Sequence, residues 1–168
     1  REASEPCVLS EIAIREENKT LTGIKELDRV LGGGIVQGSL TLVGGDPGIG
    51  KSTLLLQVCH NLSTAGHKVL YISGEESKVQ IKMRADRLGA FSEHMLLLCE
   101  TNLDIISEVI RKSKPEVVII DSIQTIATED VDTSPGSVTQ VRECASALLR
   151  FAKTSGVPVI LIGHINKE

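Results

Sequence analysis

The chain has 168 residues, of which 41% are apolar, 24% charged and 2% aromatic, with no Trp and a net charge of −4. That length suits one domain with a sizeable core, and so few aromatics require a core of Leu, Ile, Val and Ala. The acidic balance excludes a protein that grips nucleic acid by bulk positive charge, leaving local basic loops or a ring of subunits as routes to such a partner.

The cysteines Cys7, Cys59, Cys99 and Cys144 lie far apart, with no C-x-x-C pair. Neither a zinc cluster nor a disulfide framework is expected from that spacing, and buried, reduced thiols in a cytoplasmic protein are. No apolar run approaches the ~18 residues of a membrane helix and no signal-peptide pattern opens the chain, so no membrane association is expected.

In chain order, residues 1–20 are polar and irregular and read as a linker segment before a single domain over 21–168. Thr22 is placed to cap a short helix, Ile24 to Leu31, which the triplet Gly32-Gly33-Gly34 stops. A strand is predicted over Ser39–Val43, then a helix over Ser52–Ala65 ended by Gly66, and a strand over Val69–Ser73. A helix over Ser77–Leu88, a strand over Met95–Cys99 and a helix over Leu103–Ser113, stopped before Pro115, follow. Then come a strand over Val117–Ile120, a helix over Ser137–Thr154 ended by Gly156, and a strand over Val157–Ile162. In the last helix Val138, Val141, Ala145, Leu148 and Ala152 fall on one face, and Gln140, Arg142, Glu143 and Arg150 are expected to face away. The strands lack polar alternation: Val117-Val118-Ile119-Ile120 is continuous, which suits a strand covered on both faces. Alternating strands and helices of this kind predict an α/β fold, a mostly parallel sheet with helices on both faces and ligands at the carboxyl ends of the strands.

Every chemically suggestive motif falls at such an end. Gly45-Asp46-Pro47-Gly48-Ile49-Gly50-Lys51-Ser52 matches G-x-x-x-x-G-K-S/T in full, after a strand and at the start of a helix. The glycines let successive N–H groups turn toward a β-phosphate, Lys51 supplies a charge to the β- and γ-phosphates, and Ser52 a hydroxyl to Mg²⁺. Asp121 ends the apolar run from Val117, where an aspartate can serve a Mg²⁺-bound water or Ser52. Glu75 and Glu76 follow Val69–Ser73, where a carboxylate can orient and deprotonate the water that attacks the γ-phosphate. Glu75 is the stronger candidate, because Glu76 with Ser77 also suits a helix start. His164 ends the last strand, placed to feel the γ-phosphate or simply to make a strand-end hydrogen bond. Loop 127–137 follows Asp121 and either touches a substrate at the centre of an assembly or is solvated.

Leu31-Gly32-Gly33-Gly34-Ile35-Val36-Gln37-Gly38-Ser39-Leu40, the stretch Gly44 to Gln57, Tyr71-Ile72-Ser73-Gly74-Glu75-Glu76-Ser77, Ile120-Asp121-Ser122-Ile123-Gln124-Thr125 and Ser134-Pro135-Gly136-Ser137 together resemble the bacterial RadA (Sms) family of DNA-repair proteins. The similarity runs from Leu9 onward. The resemblance implies a RecA-like P-loop ATPase core that uses ATP/ADP and Mg²⁺. It implies a DNA-dependent ATPase acting on single-stranded or branched DNA, by branch migration or unwinding. The family partners so implied are the RecA recombinase and further copies of the chain in a hexameric ring. On that pattern Gly45, Asp46, Pro47, Gly48, Ile49, Gly50, Lys51, Ser52 and Thr53 bind the nucleotide, and Ser52 and Asp121 serve Mg²⁺. Glu75 with Lys51 would be catalytic, His164 the sensor, and loop 127–137 DNA-facing. The family also carries a four-cysteine zinc finger before this core, and a Lys-Asn-Arg-Phe-Gly motif and a protease-like domain after it. The chain therefore reads as an ATPase-core fragment, weak in turnover by itself. The competing classes are a clock-type RecA-like signalling ATPase or autokinase, which shares the paired glutamates, and a nucleotide-dependent scaffold with negligible turnover.

Overall fold

The computed structural model describes residues 4–13, 18–45 and 50–164. Asp46, Pro47, Gly48 and Ile49 of the phosphate-loop motif lie outside the described residues. A two-stranded antiparallel pair, β1 (Lys19–Thr20) and β2 (Ile35–Val36), flanks the short helix α1 (Lys25–Val30). The main sheet consists of β3 (Leu40–Gly45), β4 (Val69–Ser73), β5 (Met95–Cys99), β6 (Val117–Asp121) and β7 (Val159–His164). Between them run α2 (Lys51–Thr64), α3 (Lys78–Asp86), α4 (Leu103–Ser113) and α5 (Val138–Ser155). The order across the sheet is β3-β7-β6-β4-β5, and every neighbouring pair is parallel. This is the α/β architecture of a RecA-like P-loop ATPase core.

The absence of polar alternation in the strands now has a direct cause. Leu70, Ile72, Val118 and Ile120 pack into one apolar cluster with Ile106, Ile110 and Leu148 of α4 and α5. Their neighbours Val69, Tyr71, Val117 and Ile119 point to the other face, against Leu55, Leu56, Leu62 and Ile81 of α2 and α3. Successive side chains of a strand point to opposite faces, so both parities must be apolar when both faces are covered.

Helix ends follow the sequence signals in most places. Ser77 caps α3 with a reciprocal Gln80 contact, Asn102 caps α4 and Ser137 caps α5. Gly156 closes α5 in the left-handed region at φ 77°. Thr22 departs from expectation. The residue at the helix boundary is Ile24, with no side-chain cap, and the buried Thr22 hydroxyl bonds Ile24 N instead. Among the described residues, the segment read as irregular holds a 3-10 turn, Leu9–Glu11, and β1.

The face of α5 is also rotated from the one predicted. Its buried residues are Gln140, Cys144, Leu148 and Ala152, while Val138 is 67% exposed. Gln140 turns inward because its amide organises the loop before it. Its Oε1 accepts from Thr128 N, and its Nε2 donates to the carbonyls of Thr128, Val131 and Thr133. A buried amide so fully satisfied costs little to bury. All four cysteines are free, as expected, but only Cys59 and Cys144 are buried; Cys7 is exposed.

Candidate functional site

The carboxyl ends of β3, β7, β6 and β4 meet around one cleft of about 360 Å³, lined by Gly50, Lys51, Ser52, Thr53, Glu75, Glu76, Arg84, Asp121, Ile162 and His164. Gly50 stands before α2 with φ 61°, a left-handed conformation that glycine adopts at no steric cost. The first turn of α2 thereby presents Lys51, Ser52 and Thr53 at the positive end of a 14-residue helix.

Lys51 is held by the ends of two strands. Its Nζ donates to Gly45 O at 2.7 Å and to Gly163 O at 2.9 Å, and lies 3.5 Å from His164 Nδ1. The order of the sheet explains this convergence. β7 lies between β3 and β6, with Gly45 paired to His164 and Asp121 to Ile162. His164 is fixed from the other side by Gln124, whose Nε2 donates to His164 O and whose Oε1 accepts from His164 N.

A directed chain of hydrogen bonds joins the phosphate-loop helix to the β6 aspartate. Arg84 Nη2 lies 2.5 Å from Ser52 Oγ, Ser52 Oγ 3.1 Å from the Tyr71 hydroxyl, and that hydroxyl 2.8 Å from Asp121 Oδ2. Arginine has only donors and an ionised carboxylate only acceptors, so the direction is fixed. Arg84 donates to Ser52, Ser52 to Tyr71, and Tyr71 to Asp121. Burial, reinforced by the negative charge of Asp121, pushes the Tyr71 phenol far above its ordinary range, so it keeps its proton throughout the working range. Replacing Tyr71 by Phe leaves the ring in place but strands the Ser52 proton and one Asp121 oxygen. Both partners are half-buried at the cleft and within reach of water, so the expected result in urea unfolding is a loss of about 0.5–1.5 kcal/mol, the net worth of a typical hydrogen bond.

The two glutamates differ. Glu76 is half-buried and bound, with Oε1 2.8 Å from Arg84 Nη2 and its backbone N bonded to Ser73 Oγ. Glu75 is exposed, and its carboxylate makes no hydrogen bond to the described residues. The turn that carries both starts at Gly74. A Cβ on Gly74 would lie 1.9 Å from Thr125 Oγ1, so only glycine lets the end of β4 approach the turn after Asp121 this closely.

Ser52 and Asp121 offer the hard oxygens that Mg²⁺ prefers, so the residues fit that ion. Among the described residues no cluster of three His, Cys, Asp or Glu could hold a metal.

Arg84, Tyr71 and Gln124 belong to the site although sequence reading did not single them out. Arg84 shares a helix face with Ile81 and Ala85, the buried residues of α3, and that inward spacing was its available signal. Tyr71 is the one tyrosine of the chain, inside an otherwise apolar buried strand. Loop 127–137 gives a contrary finding. It carries Glu129, Asp130 and Asp132 and no Lys or Arg, so it lacks the cations that a phosphate backbone attracts.

A family model described as an AAA domain matches residues 5–168. The chain is similar to DNA repair protein RadA of Bacillus subtilis, 52% identical over 163 residues, covering 97% of this chain and 36% of that protein. Against DNA repair protein RadA of Streptococcus pneumoniae it is 48% identical over 167 residues, 99% of this chain and 40% of that protein. The counterpart in Escherichia coli is 49% identical over 160 residues, 95% and 35% respectively. The chain thus spans little more than a third of the length of these relatives. With a phosphate-loop helix, a strand-end aspartate and a parallel sheet joined in one cleft, and with the family model matched nearly end to end, the chain belongs to the AAA domain family.

Proposed function

We propose that this chain is the ATP-binding and hydrolysing core, residues 21–168, of a DNA-dependent ATPase of recombinational repair, cytoplasmic and working in a hexameric ring. Its relatives' printed role in DNA repair supports the setting. The observation that carries the catalytic part is the convergence on one cleft of Lys51, Ser52, Asp121 and a Glu75 whose carboxylate is bound to none of the described residues. Gly45 to Thr53 cradle the phosphates of ATP or ADP, with Lys51 neutralising the β- and γ-phosphates. Ser52 and Asp121 hold Mg²⁺, which when bound offsets phosphate charge. Glu75 takes the proton of the attacking water, and His164, bracketed by Lys51 and Gln124, registers the γ-phosphate. Single-stranded or branched DNA is the polymer acted on, by branch migration or unwinding in concert with the RecA recombinase. The acidic loop 127–137 directs the search for the DNA-contacting cations to other parts of the ring. Among the described residues no helix is long and apolar enough to cross a membrane.

The test is ATP turnover by the longer protein containing this core, with and without single-stranded DNA, at two salt concentrations. The expected result is DNA-stimulated phosphate release that falls steeply with salt. Turnover indifferent to DNA would favour a signalling ATPase, and no phosphate release under any condition would favour a scaffold.

A further inference from the structure

Among the described residues that line the cleft, Arg84 is the one cation that neither the phosphate loop nor a strand end supplies. It projects from the inner face of α3, and its Nη2 donates at once to Ser52 Oγ and to Glu76 Oε1. Its Nε is buried and finds no acceptor among the described residues. Ser52 commits its proton to Tyr71, so what remains for any other partner is its lone-pair side, and the guanidinium is placed against that side. A divalent cation ligated by Ser52 needs the same side. Two positive groups cannot share that hydroxyl at contact distance, because their repulsion adds to the loss of the ligand.

We infer that Arg84 and Mg²⁺ hold Ser52 in alternation, Arg84 serving as a built-in counter-charge that gives way when the metal–nucleotide complex is seated. This rests on reading the cleft as a Mg²⁺–nucleotide site and adds to it a residue that sets the metal dependence of binding. The pair with Glu76 makes the exchange a swing rather than a release. Glu76 keeps hold of the guanidinium while Ser52 is freed. It also gives the two glutamates separate tasks: Glu76 tethers Arg84, and Glu75 is left for water. Glu76 is in this account a positioning residue.

The consequence is a pair of effects of opposite sign. Without metal, Arg84 is a positive charge beside Lys51 in the cleft, so it supports nucleotide binding. With metal, it is a competitor. The experiment titrates a fluorescent ADP analogue into the chain in EDTA, then repeats the titration over a series of Mg²⁺ concentrations, for the wild type, Arg84→Ala and Arg84→Lys. Circular dichroism confirms that each variant is folded. Arg84→Ala is expected to weaken binding in EDTA about 10-fold, the scale of a lost charge-assisted hydrogen bond, and to lower the Mg²⁺ midpoint by roughly 3- to 10-fold. Arg84→Lys keeps the charge without the planar fork, so it should retain most of the binding in EDTA. Equal losses with and without Mg²⁺, or no change in either, would overturn the alternation. Failure of the wild type to bind the analogue at saturating Mg²⁺ is a different result and would overturn the nucleotide reading itself.

Discussion

Lys51→Ala is expected to lower ATP affinity by roughly 10²-fold or more while leaving the fold intact. The geometry explains the size. Two of the three N–H bonds of the ammonium are spent on Gly45 O and Gly163 O, which fix its position across the ends of β3 and β7. The third is then available to a phosphate from a charge already held in place, so little side-chain entropy is lost on binding. A charge-assisted contact is worth about 1.5–3 kcal/mol, and the one remaining N–H, aimed from a charge already held in place, lies at the upper end of that range, a factor of about 10². Calorimetric titration of Mg²⁺–ATP, paired with a thermal melt, checks this. Wild-type affinity in a folded Lys51→Ala protein would remove the phosphate role assigned to this residue.

Glu75→Gln should leave nucleotide binding near the wild-type level and slow hydrolysis by about 10²–10⁴-fold, the range attributed to a positioned proton acceptor. The substitution keeps the size and polarity of the side chain and removes its basicity. The structure distinguishes it from its neighbour, since the Glu76 carboxylate is already engaged by Arg84 and Glu75 is bound to none of the described residues. Glu76→Gln should therefore act chiefly on Mg²⁺ dependence, through Arg84, with a smaller direct effect on the chemical step. Single-turnover phosphate release in the longer protein containing this core makes the comparison. A large chemical defect confined to Glu76→Gln would exchange the two roles.

Much of this site was legible because its chemistry is local in sequence. Gly45 to Ser52 form one continuous motif whose glycines, lysine and serine each have a backbone or phosphate reason to be there. The strand from Val117 is apolar at both parities and ends in Asp121, so its burial and the position of its acid could be read together. What remained hidden depends on contacts between distant residues. β7 lies between β3 and β6, and only that arrangement brings His164 against Lys51, 113 residues away. Arg84 meets Ser52 across 32 residues, and nothing in the period of α3 states which side chain of another helix it will find. Gln140 misled for a related reason. Its polarity argued for solvent, while its burial is stabilised by carbonyls of a loop that no helical periodicity describes. Thr22 has the chemistry of a helix cap but stands two residues before the boundary residue Ile24, so its hydroxyl serves the entry turn instead.

The most direct test of the central claim is a crystal structure of the chain with Mg²⁺ and ADP. The account predicts the β-phosphate within hydrogen-bond distance of Lys51 Nζ, with Ser52 Oγ ligating the metal and the Arg84 guanidinium withdrawn from that hydroxyl. Nucleotide seated elsewhere, for example in the more apolar cleft of about 560 Å³ between α4 and α5 that is lined by Ile110, Phe151 and Val157, would contradict it.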